Sequence, residues 1–158
     1  MVKLKVKDLI KTNLEKALEL KPNSAETYAS MGLFEANFNW DSKAEEVNFR
    51  KAIALDPNLS KAHHWLGWTL ICQKRFDEAA AALKIAQELN PTSKIIVAER
   101  AIPFIYKGEF EKAFEYCKKA IEMDENFYQS QFQYWHALHY AGKYEEALKQ
   151  VEQLKRLS

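Results

Sequence analysis

Apolar positions along this chain recur at helical spacing, and whole groups of them then recur at a longer step. Ile10, Leu14, Ala17 and Leu18 stand at i, i+4, i+7 and i+8, the period of a helix with one buried face. Lys21-Pro22 ends that stripe, because proline lacks the N–H the helix ladder needs. Beyond it the pattern returns every 34 residues: Phe76, Phe110 and Tyr144; Ala79, Ala113 and Ala147; Ala86 and Ala120; Gly108 and Gly142; Pro57 and Pro91. A unit of that length holds two helices and a turn and cannot bury its apolar face alone, so copies must stack on one another. The pattern therefore predicts an all-α protein, a single domain over residues 1–158. It divides into an opening half repeat at 1–24 and four repeats at 25–59, 60–93, 94–127 and 128–158. Residues 2–6 alternate Val-Lys-Leu-Lys-Val, which is strand-like, but their place before the first stripe reads as a frayed helix start.

Two breaks in the register carry predictions. Pro22 to Pro57 and Gly32 to Gly67 are both 35 steps, so the first full repeat holds one extra residue. Either the turn at Asn39-Trp40-Asp41 is longer and Glu45 takes the usual alanine slot, or Ala44 keeps that slot and the second helix bulges before Ala52. A bulge inside a short helix is rare, so the longer turn is preferred. Pro103 falls within the first helix of the third repeat, where it removes a hydrogen bond and clashes with the preceding turn, so a kink or local unwinding is expected.

Small residue, aromatic, acid, alanine pair and terminal Asp/Asn-Pro at this spacing resemble the tetratricopeptide repeat (TPR) family, and the resemblance covers nearly all of the chain. It implies a right-handed solenoid of antiparallel helix pairs. The wording of Asn39-Trp40-Asp41, Phe49-Arg-Lys-Ala52, Asp56-Pro57 and Ala62-His63-His64-Trp65 is similar to bacterial TPR modules found C-terminal in winged-helix regulators, nucleotide cyclases and protein kinases, though nothing like those partner domains is present. By that resemblance the concave groove is lined by Lys61, His64, Trp68 and Ile71, then Ile102, Ile105 and Tyr106, then Phe132, His136 and His139. The Lys, Arg and Asn set with which some TPR domains grip a peptide carboxylate is replaced by Ala29, Leu33, Trp65, Ile95 and Glu99. An apolar groove needs an apolar partner, so the expected function is non-catalytic binding of an apolar or amphipathic peptide or helix. The alternative is a structural or regulatory segment of a larger bacterial signalling protein that works by self-association. For several of the groove positions the plainer reading is burial between adjacent first helices.

Composition narrows the field further. A net charge of +1 gives no strong pull toward nucleic acid or anionic membrane. No apolar run approaches a membrane span of ~18 residues, and the start of the chain has no secretory leader pattern. Cys72 and Cys117 show neither metal-ligand spacing nor a disulfide framework, which suits the cytoplasm, and both are expected buried and inert. His136 and His139 share a helix face, but with no carboxylate or cysteine one turn away a metal site or an enzyme built on them is the weakest alternative. No cofactor motif occurs. Finally, Leu148 points to where a further repeat would stack. Either that strip drives a weak homodimer through the uncapped terminal helices, or Lys149, Lys155 and Arg156 shield it with their aliphatic stems.

Overall fold

The computed structural model describes residues 2–157, so the outermost residues of the expected domain, Met1 and Ser158, lie outside it. The described chain is a right-handed all-α solenoid. Helix α1 (Val2–Leu20) includes the strand-like alternation of residues 2–6 and packs on α2 (Ala25–Phe34). Antiparallel pairs follow: α2 with α3 (Ser42–Leu55), and α4 (Ser60–Cys72) with α5 (Phe76–Leu89). In the third pair α6 (Lys94–Glu99) and α7 (Ile102–Lys107) together face α8 (Phe110–Met123). Helix α9 (Tyr128–Tyr140) pairs with α10 (Tyr144–Leu157).

The second helices of the four pairs begin at Ser42, Phe76, Phe110 and Tyr144, a constant step, and each runs 14 residues. The extra residue of the first repeat therefore lies ahead of α3, which is regular, and Glu45 does take the alanine slot. It is not an added loop residue, however: it is wound into a π-helical turn, Glu35–Asn39, at the end of α2. A π turn absorbs one residue while keeping the backbone hydrogen-bonded, and Phe34 stacks on Phe38 across it at 5.2 Å. Glu45, polar where its counterparts are alanine, accepts a hydrogen bond from Thr69 Oγ1 at 3.0 Å.

Helix pairs close by matching sizes across one register position. A Cβ on Gly32 would lie 2.7 Å from ring carbons of Phe49, and one on Gly67 would lie 2.7 Å from Leu83 Cγ. In the third pair the matching residues are Ala101 and Cys117, both fully buried. In the fourth they are Trp135 and Val151, which wall a cavity of about 300 Å³ with Tyr128, Phe132 and Leu154. The larger residue has moved to the first helix there, and the last pair stands open. Leu148, one turn before Val151 on α10, is 69% exposed.

Each pair turns through one left-handed residue: Trp40 (φ 55), Lys74 (φ 60), Gly108 (φ 75) and Gly142 (φ 74). Two of the four carry a side chain where a Cβ crowds the following carbonyl at a cost of about 1–2 kcal/mol. Lys74→Gly is expected to stabilise the protein by about 0.5–1 kcal/mol once the added freedom of glycine in the unfolded chain is set against that relief. Urea denaturation of the two proteins measures it; an unchanged or lower midpoint would show that Lys74 is not strained. Pro103 acts as its chemistry requires: the helix is interrupted at Arg100–Ala101 and resumes with Pro103 in the first turn of α7, where a missing N–H is harmless.

Candidate functional site

The sequence-predicted groove residues divide into three groups. Ile102 and Ile105 are 2% and 1% exposed and belong to the core; they do not line an open groove. Here α7 packs against α5, α8 and α9, and Ile71, the counterpart of Ile105 in the unbroken α4, is likewise only 7% exposed. His64 is also closed off, at 8% exposed. Its Nε2 lies against Glu99 Oε2, and its ring meets that of Trp65 in a tilted contact at 5.3 Å. Lys61 is exposed in the first turn of α4.

The remaining residues do come together. Trp68, Ile71 and Tyr106 enclose a cavity of about 270 Å³ with Cys72, Lys74 and Phe76. Ile71 is nearly buried and forms its floor. Trp68 is fixed from below, since its Nε1 donates to Glu99 Oε2 at 2.7 Å. Glu99 itself is 4% exposed, so one buried carboxylate holds both Trp68 and His64. From the cavity an unbroken series of ring contacts runs along the first helices. Phe76 stacks on Tyr106 at 5.6 Å, Tyr106 meets His136 at 5.8 Å and Tyr140 at 5.7 Å, and His136 stacks on Phe132 at 6.1 Å. Trp135 then meets His139 at 5.6 Å. Such edge-to-face and offset arrangements are the favoured aromatic geometries, and they hold a wide apolar face in one conformation.

Two ionisable groups on this face, His136 and Tyr106, are held toward neutrality. Burial, then the nearby His139, lowers the pKa of His136 below its ordinary 6.5. Burial, then the neighbouring Tyr140, raises Tyr106. Folded His136 thus resists a proton that the unfolded chain accepts. Its contribution to stability is full above about pH 6.5 and is lost as pH falls below it. We expect the melting temperature to drop between about pH 7.5 and about pH 5.5, and His136→Phe to flatten that drop. An identical slope in the variant would assign the effect elsewhere.

Cys72, expected buried, is exposed at the end of α4, whereas Cys117 is buried and its thiol is pushed up to about 12 by burial. Among the described residues no group of three or more His, Cys, Asp or Glu is placed to hold a metal ion, and no helix is long and apolar enough to cross a membrane. Sequence reasoning did not single out Lys74 and Glu99 as site residues. The alignment of Lys74 with Gly108 and Gly142 was the available signal for the first. Nothing local marks Glu99, whose partners are 31 and 35 residues away.

Comparison with known proteins follows the same architecture. Two tetratricopeptide repeat models match, over residues 48–81 and 104–127. The chain is 26% identical over 147 residues to anaphase-promoting complex subunit 3 of Schizosaccharomyces pombe, covering 92% of this chain and 22% of that protein. It is 28% identical over 119 residues to the type IV pilus assembly protein PilF of Pseudomonas aeruginosa, covering 73% and 46%. A solved structure of Pseudomonas aeruginosa PilF superposes with a TM-score of 0.83 at 22% identity, over 99% of this chain and 71% of that one, a likeness of fold. The chain thus spans less than half the length of these two curated relatives.

Proposed function

Since the chain belongs to the tetratricopeptide repeat family, we propose that it is a non-catalytic protein-interaction module whose first-helix face takes an apolar or amphipathic peptide or helix. The observation that carries this reading is the cavity between Trp68 and Tyr106, continuous with the ring series through His136, Phe132 and His139. Anchored aromatic side chains of this kind supply most of the energy at protein interfaces, and an amphipathic helix or extended apolar segment is the partner such a surface accepts. The test is peptide-display selection against the protein, followed by titration of the selected peptide into a Trp68→Ala, Phe132→Ala double variant. Binding should weaken by about tenfold or more, the loss of a single interface anchor. Equal binding by both proteins would remove the groove from the account.

A second reading rests on the open last pair. Leu148 at 69% exposure, on the same helix as the Val151 and Leu154 that wall the last pair's cavity, supports self-association through this end. In that reading the chain is a structural or regulatory segment of a larger cytoplasmic signalling protein of bacterial type. Sedimentation across a wide concentration range should then show a weak dimer that Leu148→Glu abolishes; a monomer throughout would end this reading.

A further inference from the structure

The side of the solenoid formed by the second helices carries a notch wherever two successive second helices flank the first helix between them. The three notches are related by the repeat, and their contents differ. Between α5 and α8 the notch is plugged. Tyr116 stacks on Phe104 at 5.5 Å, and the Arg100 guanidinium lies over the Tyr116 ring at 4.3 Å and donates to the tyrosine hydroxyl at 2.8 Å. Between α8 and α10 the positions of Arg100 and Tyr116 are held by Tyr134 and Gln150, and Gln150 Nε2 donates across to Oε1 of Gln131, one turn before Tyr134. Between α3 and α5 the same two positions are Leu66 and Ala82. Neither can bridge, and a cavity of about 410 Å³ remains, with Leu66 and Leu70 as its floor and Arg50, Glu78 and Ile85 at its rim.

We propose that this notch is a second binding site, on a different side from the aromatic groove, and that its occupant is an aromatic side chain of a partner protein. Three observations choose that chemistry. The chain itself places a tyrosine ring at the equivalent position one repeat later. The volume lies in the range of ligand pockets, about 300–1,000 Å³. The rim supplies a cation: Arg50 is half exposed, is steered by Glu46 at 2.8 Å and Glu78 at 3.5 Å, and can lie over a ring face as Arg100 does. Ala82 is the decisive residue. It is 6% exposed, and it is small where Tyr116 is large.

The experiment uses p-cresol, the tyrosine side-chain analogue, titrated into methyl-labelled protein and followed by NMR. Saturable shifts are expected at the methyls of Ile53, Leu66, Leu70 and Ile85. Ala82→Tyr should rebuild the internal plug and weaken cresol binding by about tenfold or more. Ile85→Glu, a rim substitution at a partly exposed position, should weaken it similarly should the larger change fail to fold. Trp68→Ala, in the other site, should leave the titration unchanged. Shifts confined to the groove methyls, or binding untouched by both notch variants, would overturn the proposal. Cresol binding that appears only after Trp40→Ala would place the 86% exposed Trp40 of a second copy in the notch, and would overturn its assignment to a different partner.

Discussion

Phe49→Ala should destabilise the protein by about 3–5 kcal/mol, the usual range for emptying a fully buried phenylalanine site. Phe49 is 1% exposed and fills the space that Gly32 leaves open. The two residues form one packing unit, so their effects should not add. Gly32→Ala alone forces a methyl to 2.7 Å from the Phe49 ring and should cost about 1–3 kcal/mol as overpacking, reduced by the helix propensity of alanine. In the Phe49→Ala background the same change meets no ring and should be neutral or stabilising. Chemical denaturation of the four proteins of this cycle decides it; additive losses would mean that Gly32 and Phe49 are not matched as the structure places them.

The second large effect centres on Glu99. Its buried carboxylate accepts from Trp68 Nε1 and sits against His64 Nε2. Glu99→Ala leaves these groups buried without a partner, at about 1–3 kcal/mol for each orphaned donor. Glu99→Gln keeps a carbonyl oxygen for Trp68 and should recover much of the loss. The consequence reaches the groove, because Trp68 loses the bond that fixes its indole at the mouth of the cavity. Glu99→Ala should therefore raise the mobility of Trp68, seen as a fall in tryptophan fluorescence anisotropy on the nanosecond scale, as well as lower stability. Unchanged stability together with unchanged anisotropy would show that the buried carboxylate neither supports the fold nor positions the indole.

What could be read from the residues alone is what repeats. The helices, their pairing and the constant step of the second helices follow from 34-residue periodicity, because each unit must bury the same face against the same neighbour. The break at Pro103 follows from one residue's missing N–H. The aromatic face was partly legible for the same reason: Trp68, Tyr106, Phe132, His136 and His139 stand at register positions that first helices turn outward.

What the tertiary structure decided is where units differ. The register left Ile102 and Ile105 open between groove and core, and the packing of α7 against its neighbouring helices places both in the core. Nor could it show that the thirty-fifth residue would be taken up as a π turn, since helix and loop solutions differ only in how neighbouring side chains pack around them. The bond from Trp68 to Glu99 spans two repeats, and no local pattern encodes it. The empty notch above Leu66 is the clearest instance. Leu66 and Ala82 are ordinary helix residues in sequence. Only when α3, α4 and α5 are packed together does the absence of a ring at Ala82 become a cavity, because a void belongs to the space between elements and not to any one of them.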